Sequence, residues 1–176
     1  MSNILFGLTG SISCYKACEV ISALKKKNHT VKTVASPSAL KFIGEATLEG
    51  LSGERVATHT FQSGEMMSHI DLARWADLII ICPATAHTIN HLANGTLEGL
   101  IGEIFLANNF KKPFLIAPSM NTEMLMHPAT QKNLGTLESM KAILLETDTG
   151  PLACGEVGYG RLLAPEKILE RIEKIL

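Results

Sequence analysis

The chain has 176 residues, 46% of them hydrophobic and 19% charged, with a formal net charge of −1. That length favours one domain spanning 1–176 with a sizeable core, and that balance excludes a disordered chain. The densest basic run, Lys25–Lys27, reads as a solvated helix end, and no apolar run approaches the roughly 18 residues of a membrane span, so neither nucleic acid nor a membrane is an expected partner.

The first segment, NILFGLT (Asn3–Thr9), begins as a short buried strand. Residues Ser13–Lys27 place Ala17, Val20, Ile21 and Leu24 on one helical stripe. TVKTVA (Thr30–Ala35) alternates and is β-branched, predicting a second strand. DLIIICP (Asp77–Pro83) and PFLIAP (Pro113–Pro118) are continuous apolar runs closed by proline, as central strands buried on both faces require. AILLE (Ala142–Glu146) is a candidate fifth strand. GPLACGEVGYGR (residues 150–161) is too glycine-rich for a helix and too irregular for a strand, and it carries a cysteine, Cys154. Pro165–Leu176 closes the order as a helix with Ile168, Leu169, Ile172 and Ile175 on one face. Strands separated by helices predict right-handed crossovers and a three-layer α/β domain with a central parallel sheet.

Ligands of such sheets bind beyond the carboxyl ends of the strands. The turns there are GLTGSIS, SPSA, PATAHT and PSMNTEM, each bringing small or hydroxyl residues to an expected helix start. Backbone N–H groups with Ser and Thr hydroxyls hold a phosphate without lysine. The first turn is not GxGxxG, the second strand ends at Ser36 rather than at an acidic ribose clamp, and no GxxxxGK[ST] occurs. A mononucleotide phosphate such as that of FMN suits these turns better than a dinucleotide. Cys14, Cys18, Cys82 and Cys154 include only one short spacing, and His87 and His91 lack an evident third ligand, so no metal site is expected. Mostly buried thiols and an N-terminus without a basic, then long apolar, leader predict a reducing, cytoplasmic setting.

PSMNTEM (Pro118–Met124) resembles the PxMNxxM motif of the homo-oligomeric flavin-containing cysteine decarboxylases, and PATAHTI (Pro83–Ile89) resembles their PASANT motif. HIDLARWAD (His69–Asp77) and TGPLACGEVGYGR (Thr149–Arg161) are similar to further segments of members acting on phosphopantothenoylcysteine. The resemblance implies a flavodoxin-like (Rossmann-type) fold, bound FMN, assembly as a trimer or dodecamer, and flavin and substrate near a subunit contact. It also implies conversion of 4′-phospho-N-pantothenoylcysteine to 4′-phosphopantetheine and carbon dioxide in coenzyme A synthesis. In that chemistry the thiol is oxidised towards a thioaldehyde, carbon dioxide leaves, and an enethiolate is protonated and reduced. Many bacterial members are fused to a C-terminal ligase. The present sequence ends one helix past the glycine-rich segment, and the decarboxylase part alone is expected.

On the same resemblance His69 is the base and Cys154 the proton donor, the latter on a flap that closes over substrate with Pro151 and Ala153 beside it. Asn121 orients the substrate carboxylate and pantothenoyl amide, and Met124 lies beside the substrate. The cofactor positions are Gly10, Ser11 and Ile12, Ser36 and Ser38, Thr85, Ala86, His87 and Thr88, and Ser119. Plainer roles stand beside these: a capping or surface position for His69, an N-cap for Asn121, a small buried hydrophobe for Cys154. His87 stands where PASANT has Asn, Leu125 where an aromatic residue is frequent, and Ser119 where Ala is common. Competing activities on the same fold are a flavin prenyltransferase, a lantibiotic-type peptidyl-cysteine decarboxylase and a phosphatase-binding regulator of the yeast halotolerance kind.

Overall fold

The computed structural model describes residues 1–60, 68–96, 99–153 and 155–176. The elements run β1 (Asn3–Leu8), α1 (Cys14–Lys26), β2 (Thr30–Ala35), α2 (Glu45–Ser52), α3 (Ser68–Trp75), β3 (Leu78–Ala84), α4 (Ala86–Ala93) and α5 (Gly99–Asn108). They continue as β4 (Phe114–Pro118), α6 (Thr122–Met126), α7 (Pro128–Ser139), β5 (Ile143–Leu144), β6 (Asp148–Pro151), β7 (Val157–Arg161) and α8 (Pro165–Ile175). Five strands form one parallel sheet in the order β2-β1-β3-β4-β5. The strand order reverses between β1 and β3, which opens a crevice beyond their carboxyl ends.

Alternation along the strands builds two cores from one sheet. Ile4, Phe6 and Leu8 of β1 join Leu78, Ile80 and Cys82 of β3 against the α1 stripe and Ile168 and Ile172 of α8. Leu5, Ile79, Ile81, Phe114 and Ile116 face the other way, against Ile89 and Leu92 of α4, Ile104 and Phe105 of α5, and Leu137 of α7. Every residue of β3 and β4 is buried, which is why these runs carry no polar alternation. The predicted strand at Ala142–Glu146 shortens to Ile143–Leu144, because it is an edge strand with β4 as its one neighbour and Ile143 partly open to solvent.

The segment read as too irregular for a strand is an antiparallel hairpin, and that expectation is corrected. β6 and β7 pair Asp148 with Arg161, Gly150 with Gly158 and Pro151 with Val157 across an irregular register. Its regularity comes from tertiary docking. Gly160 (φ +100°) accepts a 2.9 Å hydrogen bond at its carbonyl from Met120 N–H, and a Cβ there would strike the Met120 carbonyl. Thr122 Oγ1 donates to the Tyr159 carbonyl at 2.8 Å. The hairpin is thereby strapped to the turn that follows β4.

Candidate active site

Three strand ends are stitched together at the crevice. Thr9 Oγ1, after β1, donates to the Pro83 carbonyl at 2.7 Å and accepts from Thr85 N–H at 3.0 Å. Ser119, after β4, is buried, with its N–H on the Ala84 carbonyl at 2.9 Å. Its hydroxyl meets those of Ser11 and Ser13 at 3.1 and 3.0 Å. Gly10 lies so close to Ser38 that a Cβ would stand 2.5 Å from the serine Cβ, so the first and second turns touch only because residue 10 is glycine.

These turns enclose a cavity of about 710 Å³, inside the range of small-molecule sites. Gly10, Ser11, Ser36, Ser38, Thr85, Ala86, His87, Thr88 and Ser119 line it, as does Met124. Of the proposed cofactor positions, Ile12 does not; it is largely exposed. Thr85 caps α4, its hydroxyl accepting from Thr88 N–H. Thr9, Thr58, His91, Met120 and the first turn of α5 (Gly99, Leu100, Ile101, Gly102) also line the cavity and were not among the cofactor positions expected from sequence. Thr9 sat within a turn already noted. Thr58 carried no local signal; it arrives because residues 56–58 run beside β2 through a parallel Val34–Ala57 bridge. The lining combines hydroxyls and the N-terminus of α4 with the apolar side chains of Leu92, Leu100, Ile101 and two methionines. That donor set fits an anionic group joined to a flat apolar ring, and FMN has that form.

Asn121 follows Met120 at the rim. Its Oδ1 caps α6 by accepting from Glu123 N–H at 2.8 Å, while Nδ2 donates to Glu156 Oε2 of the hairpin segment at 3.5 Å. The N-cap role and a carboxylate-facing amide therefore coexist in one side chain. Pro151 and Ala153 are exposed on the hairpin and line neither this cavity nor the next. Cys154 lies outside the described residues.

His69 is elsewhere. It lines a second cavity of about 500 Å³ with Arg74, Glu103, Leu106, Lys111 and Lys112. Its Nδ1 is buried and stands 3.7 Å from Glu103 Oε2, beyond hydrogen-bond reach, while Thr60 Oγ1 donates to that same oxygen at 2.7 Å. Helix α5 is the partition: Leu100 and Ile101 face the first cavity, Glu103 and Leu106 the second. Within one chain the cofactor positions other than Ile12 gather around the first cavity with Met124; Asn121 adjoins it in sequence after Met120, and Pro151, Ala153 and His69 do not line it. The other cysteines are chemically quiet, since burial pushes the Cys14 and Cys18 thiols up and the Cys82 thiol far up.

Parallel order 2-1-3-4-5 with a hydroxyl-lined crevice at the β1/β3 reversal defines a flavodoxin-like, mononucleotide-binding α/β protein. The family model described as Flavoprotein matches residues 1–176, and the chain belongs to that family. It is 42% identical to the coenzyme A biosynthesis bifunctional protein CoaBC of Bacillus subtilis over 98% of its own length, and it spans 42% of that protein. A probable phosphopantothenoylcysteine decarboxylase of Streptococcus mutans is 34% identical over 98% of both chains. Among solved structures, a Cys-to-Ser mutant of a PPC decarboxylase complexed with pantothenoylaminoethenethiol superposes with a TM-score of 0.88 at 27% identity, covering 98% of this chain and 97% of that one. The FMN-binding protein AtHal3 gives 0.83 at 28% identity, with 98% and 95% covered.

Proposed function

We propose that this chain is an FMN-dependent carboxy-lyase that converts 4′-phospho-N-pantothenoylcysteine to 4′-phosphopantetheine and carbon dioxide in coenzyme A synthesis. The observation that carries this reading is Asn121: at the rim of a hydroxyl-lined cavity, its amide N–H₂ already meets a carboxylate. Ser11, Ser36, Ser38, Thr85 and Thr88 with the N-terminus of α4 would hold the cofactor's phosphate, and Ser119, Met120, Leu100 and Ile101 its ring. FMN, when bound, supplies reversible two-electron oxidation at the thiol-bearing carbon of the substrate.

The chain's own residues do the rest. Asn121 Nδ2 holds the substrate carboxylate in line for departure, and Met124 packs the pantothenoyl arm. His69 takes the thiol proton as general base. Cys154 returns a proton to the enethiolate carbon. The β6–β7 hairpin, with Pro151 and Ala153 near its tip, excludes water once substrate is in place.

His69 and Asn121 act together in this scheme only if a second copy brings its His69 cavity to the first copy's rim. That supports a homo-oligomer, trimeric or dodecameric, with the site across the contact. Exposed Met124, Met126, Val157 and Tyr159 on α6 and β7 provide an apolar surface for it. Among the described residues no helix is long and apolar enough to cross a membrane; the proposed setting is the cytoplasm. The deciding experiment is the absorption spectrum of the purified chain, followed by carbon dioxide release from phosphopantothenoylcysteine and from a peptide ending in cysteine. Flavin bands and turnover of the small substrate are expected. No uptake of added FMN, or preference for the peptide, would overturn the reading.

A further inference from the structure

Helix α5 reads GLIGEIFLAN and carries one charged residue, Glu103, whose side chain is 23% exposed. A carboxylate so placed needs donors around it. Thr60 Oγ1 donates to Glu103 Oε2 at 2.7 Å, and Ser68 Oγ, at the first position of α3, donates to the Thr60 carbonyl at 3.1 Å. Thr60 thereby ties the start of α3 to the middle of α5, and the next residue of α3 is His69. Its Nδ1 stands 3.7 Å from the same Oε2 and, though buried, has no hydrogen-bond partner among the described residues. We propose that Glu103 is the positioning residue for the base: it holds His69 with the proton on Nδ1, so that Nε2 receives the proton of the substrate thiol.

This inference rests on the reading of His69 as general base given above. Nδ1 is shut off from solvent, while the side chain as a whole is 27% exposed and lines the second cavity. Nε2, across the ring, is thus the nitrogen that a substrate proton can reach. A neutral ring carries one N–H, and the form with that proton on Nδ1 is the one with a lone pair at Nε2. A buried donor left unpaired is costly, and a movement of about 0.6 Å brings Nδ1 within about 3.1 Å of the carboxylate. Contacts between reacting groups commonly tighten in this way once substrate is bound. Oε2 has lone pairs enough for Thr60 and His69 together. When the S–H bond breaks, its electron pair stays on sulfur, the proton bonds to Nε2, and the imidazolium charge faces Glu103. The aspartate of a Ser-His-Asp triad serves its histidine in the same sense. Arg74, Lys111 and Lys112 line this cavity too, but among the described residues His69 is the basic side chain paired with Glu103.

The test is steady-state decarboxylation of phosphopantothenoylcysteine by the FMN-loaded chain and by Glu103→Ala, Glu103→Gln and Thr60→Val. The His69 tautomer is read alongside from imidazole nitrogen chemical shifts, assigned by comparison with His69→Asn. Glu103→Ala is expected to lower kcat about 10- to 150-fold while KM and FMN content stay within about twofold. Glu103→Gln keeps an acceptor oxygen and should recover part of that loss, and Thr60→Val should lose less than Glu103→Ala. The proton is expected on Nδ1 in the unaltered chain and should shift towards Nε2 in Glu103→Ala. A kcat for Glu103→Ala within about threefold of the parent overturns the assignment. So does a proton on Nε2 in the unaltered chain, or a loss of kcat matched by loss of bound FMN, which would mark Glu103 as structural only. No turnover by the unaltered, FMN-loaded chain overturns the decarboxylase reading instead, and the tautomers then still decide whether Glu103 sets the ring.

Discussion

Asn121→Asp separates the two uses of one side chain. Aspartate keeps an oxygen for Glu123 N–H, now 2.8 Å from Oδ1, so the cap on α6 persists. Asp and Asn cap helices about equally, and a change within about 0.5 kcal/mol corresponds to a Tm shift of about 1–2 °C for a chain this size. The amide donor, however, becomes a carboxylate oxygen facing Glu156 and, on the proposed reading, the substrate carboxylate. Losing one hydrogen bond to a charged group costs about 1.5–3 kcal/mol, roughly a 10- to 150-fold fall in kcat/KM. Repulsion between carboxylates about 4 Å apart adds about 4 kcal/mol at an effective dielectric of about 20, partly relieved by protonation or displacement. Asn121→Ala loses the donor without the repulsion but also loses the cap, about 1 kcal/mol and about 2–4 °C in Tm. The expected orders are thus opposite: Asp above Ala in thermal stability, Ala above Asp in activity. Steady-state decarboxylation and thermal melts of the three proteins measure both. An Asp variant within threefold of the parent in kcat/KM, or one melting as low as the Ala variant, would refute the division of labour.

Gly160→Ala forces a left-handed residue (φ +100°) to carry a Cβ into the Met120 carbonyl, costing about 1–2 kcal/mol for the backbone and about 1 kcal/mol for the Met120 hydrogen bond. The hairpin should become protease-sensitive and KM should rise while FMN affinity holds; an unchanged cleavage pattern counts against the strap. Thiolates are the reactive form, and burial raises the pKa of Cys14, Cys18 and Cys82. A thiol reagent at pH 8 should therefore label Cys14, Cys18 and Cys82 far more slowly in the folded chain than after unfolding, as peptide mapping would show, and prompt labelling of Cys82 would contradict the burial argument. Cys154→Ser should keep FMN and release carbon dioxide without forming the saturated thiol; normal phosphopantetheine yield would remove Cys154 from the proton-donor role. His69→Asn and Asn121→Asp, each inactive, should recover part of the activity when dissociated and reassembled together, because some contacts then join two intact halves. No recovery in mixed oligomers verified by mass would place the whole site within one copy.

The sheet was legible because its chemistry is local. A strand covered on both faces must be apolar at every position, and Leu78–Ala84 and Phe114–Pro118 are. The turns were legible for a similar reason: hydroxyls before a helix are either caps or anion ligands, and both uses put them at the same sheet edge. The hairpin was not legible, because its glycines mimic chain breakers. Gly158 and Gly160 are there so that Thr122 and the Met120 carbonyl can approach, a constraint written in another segment forty residues away. The cavity wall from α5 was hidden likewise, since Gly99–Gly102 lines it through helix packing and not through any motif. His69 shows the limit most clearly. The family resemblance sets it beside Asn121 as a partner in one reaction, yet which side of α5 it occupies depends on how α3 packs, with Ala73 and Ala76 turned inward and His69 towards Glu103. On the scheme proposed above, the partition that separates the two residues in one chain is what calls for a second copy. A base and a carboxylate anchor on opposite sides of a helix can serve one substrate only across a subunit contact.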